Sequence, residues 1–323
     1  MGVICIERFL YVHCFTWNIQ KGAKSALSFS CIIFSFFSVM QYIEGNIIDV
    51  HRREIYPGTI SINFGKIVSI NRNSKKYTHY ISPGFIDAHV HIESSMLIPE
   101  EFSKLAICRG TIAIINDPHE IANVMGVEGI DYMIENSKRS AIKSFFTIPS
   151  CVPATPYDSA GSVLLSSEIE KLANDHAFVG LSEMMNVPGV VRHDPEVWAK
   201  LEIARRHHLI IDGHAPGLSG APLKEYIDAG ISTDHECTSL EEAIEKIALG
   251  MKILIREGSA AKNYEALKSL IADYPEKVMF CTDDSHPNDL LSSGEIDKLV
   301  RRAIHDGFDL FDVLKIASYN PIL

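Results

Sequence analysis

Residues 82–91 read Ser-Pro-Gly-Phe-Ile-Asp-Ala-His-Val-His, and this stretch decides the fold. It places Asp87, His89 and His91 at alternate positions of a short apolar run. Successive side chains of a strand point to opposite faces, so these three share one face. The two histidines can therefore reach one metal ion. For a His-x-His pair taken alone, a buried strand with hydrogen-bonded histidines is the alternative interpretation.

After Gly84 the chain alternates strand-like and helix-like segments. Apolar runs that alternate with amphipathic stretches are typical of a parallel sheet covered by helices on both faces. The runs lie near residues 84–90, 111–115, 144–149, 177–182, 208–213, 230–234, 251–255 and 277–282. We therefore predict an α/β fold, with a (β/α)8 TIM-like barrel over residues 81–323.

Two shorter regions precede the predicted barrel. Residues 41–80 contain β-like runs at 46–50, 59–63 and 66–70, separated by turn signals, and predict a small β-sandwich segment. Residues 1–40 are rich in Phe, Ile, Cys and Ser and are predicted to be an atypical extension outside the fold. A targeting segment is the alternative, whereas the apolar stretch at 27–40 is shorter than the ~20 residues of a membrane span.

Composition limits the partners. A chain of 323 residues with 46% hydrophobic residues can bury one large core. Its formal charge of −11 argues against nucleic acid and anionic membranes, since both repel an acidic surface. The 7 cysteines form no C-x-x-C pair and predict reduced thiols in a cytoplasmic protein. A small-molecule substrate is therefore expected, and a homodimer is left open.

Metal-capable residues follow several of the predicted strands. Chemistry in α/β barrels gathers at the carboxyl ends of the strands. A set of nitrogen and oxygen donors without thiolate suits Mn²⁺, Fe²⁺ or Zn²⁺, and this set is large enough for two ions. The residues are His89, His91, Glu183, His214, His235 and Asp283.

This ordered series resembles the amidohydrolase superfamily and, within it, the adenine deaminases. The matching stretches are residues 83–95, 116–123, 180–186, 213–217, 234–236, 256–259 and 281–284. The resemblance implies that the six residues form a binuclear metal centre bridged by Glu183. It also implies that Asp283, Glu183 and His235 take part in catalysis, with Asp283 as general base and then acid. A glutamate at the fourth strand, where many relatives use a modified lysine, favours the deaminase branch.

The implied reaction is the hydrolytic deamination of adenine to hypoxanthine and ammonia by a metal-activated hydroxide, as part of purine salvage. The alternatives are another amidohydrolase that acts on a cyclic amide or a different nucleobase, and a catalytically silent fragment. The resembling family continues beyond Leu323, so the small β domain is expected to be incomplete.

Weaker candidates for substrate binding follow the second and seventh strands. They are Asp117, His119, Glu120, Glu257 and Ser259. A loop or capping role is the alternative for the acids of residues 117–120, and an Arg256–Glu257 ion pair is the alternative for Glu257. If the strand continues through Asp284, this residue is expected to point away from the site, because neighbouring strand residues face opposite sides.

We expect deletion of residues 1–40 to leave the fold unchanged and to raise solubility, because exposed apolar segments promote association. Thermal unfolding and sedimentation of the shortened and the full chain measure both effects. A large fall in the melting temperature would show that the segment packs as part of the core.

Overall fold

The computed structural model describes residues 13–17, 27–31, 40–175 and 177–323. Most of the predicted extension 1–40 lies outside the described residues, so its boundaries and those of the two domains stay predictions. The strands are β1 His13–Trp17, β2 Leu27–Cys31, β3 Gln41–Asp49, β4 Glu54–Asn63, β5 Lys66–Arg72, β6 His79–Ser82, β7 Phe85–His91, β8 Thr111–Asn116, β9 Lys143–Ile148, β10 Gly180–Met184, β11 Ile210–Gly213, β12 Thr233–Asp234, β13 Lys252–Arg256, β14 Val278–Cys281 and β15 Asp283–Asp284.

Strands β7 to β15 form a closed parallel barrel. Strands β7 to β11 pair in chain order, and β12 to β14 form a second parallel set. A bridge between Ile211 and Ile231 joins the two sets on one side. On the other side β15 pairs with Val90 and His91 of β7. Each of the predicted apolar runs overlaps a strand, and the predicted (β/α)8 barrel is confirmed.

Helices follow the barrel strands. They are α1 Pro99–Cys108, α2 His119–Met125, α3 Val127–Ser137, α4 Ser166–Asp175, α5 Val187–Val191, α6 Pro195–Arg206, α7 Gly220–Asp228, α8 Leu240–Ala248, α9 Tyr264–Leu267, α10 Leu270–Asp273, α11 Pro287–Ser292, α12 Ile296–His305 and α13 Leu310–Leu314. Helix α6 shows the local signals clearly: the Asp194 side chain accepts from the backbone N–H of Glu196 and Val197, and Pro195 opens the helix. Among the described residues, no helix has both the length and the apolar character needed to cross a membrane.

The apolar core is divided between the two sides of the barrel. One cluster contains strand residues such as Ile114, Leu181 and Ile211 together with the inner faces of the early helices. The other contains Ile253 and Phe280 together with residues of α8, α12 and α13. Burying such side chains stabilises the barrel by roughly 1.5–3 kcal/mol each, which keeps the strand ends in fixed positions.

The small sheet before the barrel has the strand order β2-β1-β6-β3-β4-β5. Strands β3, β4 and β5 are antiparallel neighbours and overlap the three predicted β-like runs. Its own apolar cluster is small and consists of Ile43, Ile47, Ile60, Ile62 and Ile81. This sheet is separate from the parallel strands that carry the metal-capable residues.

Gly213 is the last residue of β11, and a side chain has no space there. A Cβ atom at this position would lie 2.3 Å from the backbone carbonyl of Thr233. We expect Gly213→Ala to lower the free energy of unfolding by about 1–3 kcal/mol, because two adjacent strands must separate. Chemical denaturation measures the change. Ile210→Ala on the same strand is the control: this side chain is exposed, and its truncation should cost within about 0.5 kcal/mol. Equal stability of Gly213→Ala and the parent would contradict the crowding.

Candidate metal centre

The six metal-capable residues meet at the carboxyl ends of the barrel strands. His91 Nε2 lies 3.0 Å from His89 Nε2, 3.4 Å from Glu183 Oε1 and 3.2 Å from Asp283 Oδ1. His235 Nε2 is 3.3 Å from Glu183 Oε2, and His214 Nδ1 contacts the same oxygen. Strand parity and barrel closure therefore bring together the residues that the sequence singled out. Their role as metal ligands stays a prediction.

Glu183 is the centre of this group. Its carboxylate is buried and is contacted by the imidazoles of His91, His119, His214 and His235. Burial alone would raise the pKa of Glu183. Hydrogen bonds from His214, His235 and His91 outweigh that effect and hold the pKa well below its usual range. Glu183 is therefore an anion surrounded by nitrogen donors.

The two histidines of β7 are oriented by their Nδ1 atoms. His89 Nδ1 lies 2.7 Å from Asp212 Oδ2, and His91 Nδ1 lies 3.0 Å from the carbonyl oxygen of Asp117. Both Nε2 atoms are consequently directed into the site, as is usual for histidines that bind metals. The sequence analysis missed Asp212. Its signal was its place two residues before His214, a spacing like that of Asp87 before His89.

Asp283 sits between the histidines and an arginine. Its Oδ2 accepts a hydrogen bond of 2.7 Å from Arg256 Nη1, while its Oδ1 faces His91 and His89. Burial raises the pKa of Asp283, but the hydrogen bonds from the two histidines outweigh it and the pKa is lowered. Asp283 is therefore ionised, as a general base must be.

An Arg256–Glu257 ion pair, which was one alternative expected from the sequence, does not form. Its guanidinium pairs with Glu236 and Asp283, whereas Glu257 accepts from Arg302. The reason is strand alternation, because adjacent residues at the end of β13 point to opposite sides. Glu236 follows His235 directly, and its carboxylate lies 3.6 Å from His214 Nδ1. The sequence analysis did not single out Glu236.

The expectation that Asp284 points away from the site is wrong. Asp283 has a φ of 56°, which interrupts the extended backbone and the alternation that depends on it. Asp284 Oδ1 accepts from Ser94 Oγ at 2.5 Å. A carboxylate oxygen of Asp284 also lies within 4.8 Å of ligand atoms of His91 and Asp283. Both consecutive aspartates therefore face the centre.

The weaker candidates divide into two groups. His119 Nδ1 lies 2.9 Å from Asp117 Oδ2 and 3.5 Å from Glu183 Oε1, which places both residues at the centre. Glu120 Oε1 accepts from Ser94 Oγ at 2.8 Å.

The other two candidates make their hydrogen bonds elsewhere. Glu257 accepts from the backbone N–H of Tyr264 and from Arg302. Ser259 Oγ donates to Asp289 and accepts from the N–H of His286. A substrate-binding role stays a prediction for all five.

The donor set fits a divalent cation. Imidazole nitrogens and carboxylate oxygens converge in several overlapping groups, such as His89, His235 and Asp283, or Glu183, His214 and His235. His235 Nδ1 is buried and has no hydrogen-bond partner among the described residues, a state that usually needs compensation. Nitrogen and oxygen ligands are those that Mn²⁺, Fe²⁺ and Zn²⁺ accept.

Comparison with known proteins agrees with this geometry. The model of the amidohydrolase family matches residues 80–322. The chain is 55% identical over 278 residues to an adenine deaminase of Methanosarcina acetivorans, covering 86% of this chain and 50% of that protein. It is 50% identical over 287 residues to an adenine deaminase of Borreliella burgdorferi, covering 87% and 52%. The chain thus spans about half the length of the curated relatives it matches.

A solved structure supports the fold. The N-acetyl-D-glucosamine-6-phosphate deacetylase of Mycobacterium smegmatis superposes with a TM-score of 0.57 at 13% sequence identity. The match covers 87% of this chain and 88% of that one. At this identity the likeness concerns the barrel architecture alone.

Glu93, beside the centre, makes stability depend on pH. Burial raises the pKa of its carboxyl to about 7. The folded state therefore favours the protonated carboxyl, which contributes to the free energy of unfolding. This contribution is complete below pH 4.5 and is lost as pH rises through about 7. In the metal-free chain, the free energy of unfolding should fall by as much as about 3 kcal/mol over this pH range because of Glu93. We expect Glu93→Gln to abolish this part of the fall, because glutamine does not ionise. Urea unfolding at several pH values measures it. The exposed Glu101→Gln is the control, and parallel profiles for Glu93→Gln and the parent would contradict the assignment.

Proposed function

The chain belongs to the amidohydrolase family, and we propose that it catalyses the hydrolytic deamination of adenine to hypoxanthine and ammonia. The observation that carries the proposal is the buried Glu183 carboxylate surrounded by imidazoles at the barrel mouth. The names of relatives that are about half identical to this chain support adenine as the substrate. The product base would then be available for purine salvage.

A divalent metal centre at Glu183 is part of the proposal. His89, His91 and Asp283 would hold one ion, and His214 and His235 would hold the other, with Glu183 between them. Asp117 and His119 are close enough to Glu183 to add ligands or to support the centre. When bound, such an ion lowers the pKa of water from 15.7 to about 7 and so supplies a nucleophile at neutral pH. Mn²⁺, Fe²⁺ and Zn²⁺ all suit this donor set.

Asp283 would move the proton. The attacking water forms a bond to C6 of adenine, and the bond between C6 and the exocyclic nitrogen breaks. Asp283 takes one proton from the water and returns it to the departing amine, which leaves as ammonia, while the other proton of the water ends on ring N1 as the C6 carbonyl forms. Arg256 holds Asp283 Oδ2 at 2.7 Å, so the other oxygen is directed toward the histidines. His235, buried against Glu183, would stabilise the tetrahedral centre.

Ser94, Glu120 and Asp284 would bind the purine. Ser94 Oγ has one proton but faces two carboxylate oxygens, at 2.8 Å and 2.5 Å. The cluster therefore contains more acceptors than donors. A purine supplies N–H groups from its imidazole ring and its amine, which would satisfy the remaining carboxylate oxygen.

The first test is ammonia release from adenine by the purified chain loaded with Mn²⁺ or Fe²⁺. We expect Asp283→Asn to retain most of the bound metal and to lose at least about 10²–10⁴-fold in turnover, since general acid–base catalysis contributes that much. Glu183→Gln should lose metal and activity together, because a neutral amide bridges two cations poorly. Ammonia assays and metal analysis of the same samples separate the two effects.

Matched controls remove the same charges elsewhere. Asp228→Asn and Glu225→Gln change side chains of α7 that are more than half exposed, and both should behave as the parent. A folded, metal-loaded parent that releases no ammonia from adenine would refute the adenine deaminase proposal. Ammonia release from another nucleobase instead would identify that base as the substrate. If Asp283→Asn keeps full activity, Asp283 is not the general base, and Asp284 becomes the next candidate.

A further inference from the structure

Lys246 of helix α8 is a buried cation below the metal centre. Its side chain is 0% exposed, and Nζ lies 2.6 Å from the carbonyl oxygen of Ala215. The same atom lies 3.0 Å from Asp234 Oδ2 and 2.7 Å from Glu242 Oε1. An ammonium has three N–H donors, so each of them has one acceptor.

Two of the three partners of Lys246 are chain neighbours of predicted metal ligands. Ala215 directly follows His214, and Asp234 directly precedes His235. The link is doubled, because Asp234 Oδ1 also accepts from the backbone N–H of Ala215 at 2.8 Å. The segments that follow β11 and β12 are therefore tied to each other and to α8.

Glu242 extends this network along the same segments. Its Oε1 accepts from the N–H of Gly217 and its Oε2 from the N–H of Thr238. Asp234 Oδ2 accepts in turn from the N–H of Glu236 and from the thiol of Cys237. Asp234, Cys237 and Glu242 are grouped closely enough to resemble a metal site, but the Lys246 ammonium contacts both carboxylates. In this second acidic cluster the place of a cation is thus already taken by the ammonium of Lys246.

We propose that Lys246 is a positioning residue that holds His214 and His235 at the spacing required for one metal ion. The proposal rests on the proposed metal centre and concerns its second ion position. A buried ammonium is stable only when it is paired, and removing it leaves the carboxylates of Asp234 and Glu242 with hydrogen bonds from backbone N–H groups but without their cationic partner. Burial lowers the pKa of Lys246, yet its interactions with Asp234, Cys237 and Glu242 together outweigh this effect and raise the pKa, so the charge is retained.

The decisive substitution is Lys246→Met, which keeps the length of the side chain and removes its charge and donors. The readout is Mn²⁺ affinity, measured by calorimetric titration of the metal-free chain well below its melting temperature. Residues that orient metal ligands typically change affinity by about 10–100-fold, and we expect a loss of this size at one of two ion positions. The electron paramagnetic resonance spectrum of the remaining Mn²⁺ should report the altered coordination.

Two further variants keep the test decisive. Lys224→Met removes an exposed lysine that also pairs with an acid one helical turn away, and its Mn²⁺ affinity should equal that of the parent. Glu242→Gln keeps the shape of the network but removes one charge, and it should also weaken Mn²⁺ binding. It replaces Lys246→Met as the test if that variant does not fold. Unchanged Mn²⁺ affinity in every folded variant of Lys246 and Glu242 would overturn the positioning role.

The outcomes also separate this inference from the proposed function. A parent chain that binds no Mn²⁺ refutes the metal centre itself. A parent that binds two ions, together with a Lys246→Met variant that binds both equally well, refutes only the role of Lys246.

Discussion

The site depends on one buried carboxylate. Four imidazoles surround Glu183, and the hydrogen bonds from His214, His235 and His91 outweigh the burial that would otherwise raise its pKa. A buried anion is stable only if it stays paired and hydrogen-bonded in good geometry. The closed barrel meets this requirement because His91, His214 and His235 stand at or just after the ends of strands whose neighbours are fixed on both sides, and His119 opens the helix that follows β8.

A second layer of polar groups orients the first. Asp212 and the carbonyl of Asp117 fix the rings of His89 and His91, and Arg256 fixes Asp283. Lys246 ties together the segments that carry the other two histidines. The carboxylates of this layer face an imidazole, a guanidinium or an ammonium. This pairing permits many ionisable groups within a small volume, and because Arg256 and Lys246 each face two carboxylates, the centre stays rich in acceptors.

The two consecutive aspartates, Asp283 and Asp284, show where the alternation of side chains along a strand no longer holds. Alternation correctly placed His89 and His91 on one face, since both residues lie within β7. The same rule failed for Asp284. Asp283 adopts a positive φ at the start of the short strand β15, which follows β14 and pairs with β7, so the extended backbone is interrupted there. Arg256 and Glu257 gave the opposite result: alternation held, and it separated two residues whose sequence adjacency suggested an ion pair.

The sequence by itself determined the barrel and the six residues that meet at its mouth. Both follow from local signals, namely apolar runs of strand length and metal-capable side chains at their ends, which a parallel sheet must bring to one edge. Only the tertiary structure decided which groups support them. Glu236 and Lys246 have no distinctive local pattern, and Asp212 has only its spacing before His214, because the roles of all three arise from contacts between segments about 10 to 120 residues apart. The physical reason is that a strand fixes the direction of its own side chains, whereas a hydrogen-bond partner is fixed only when the barrel closes.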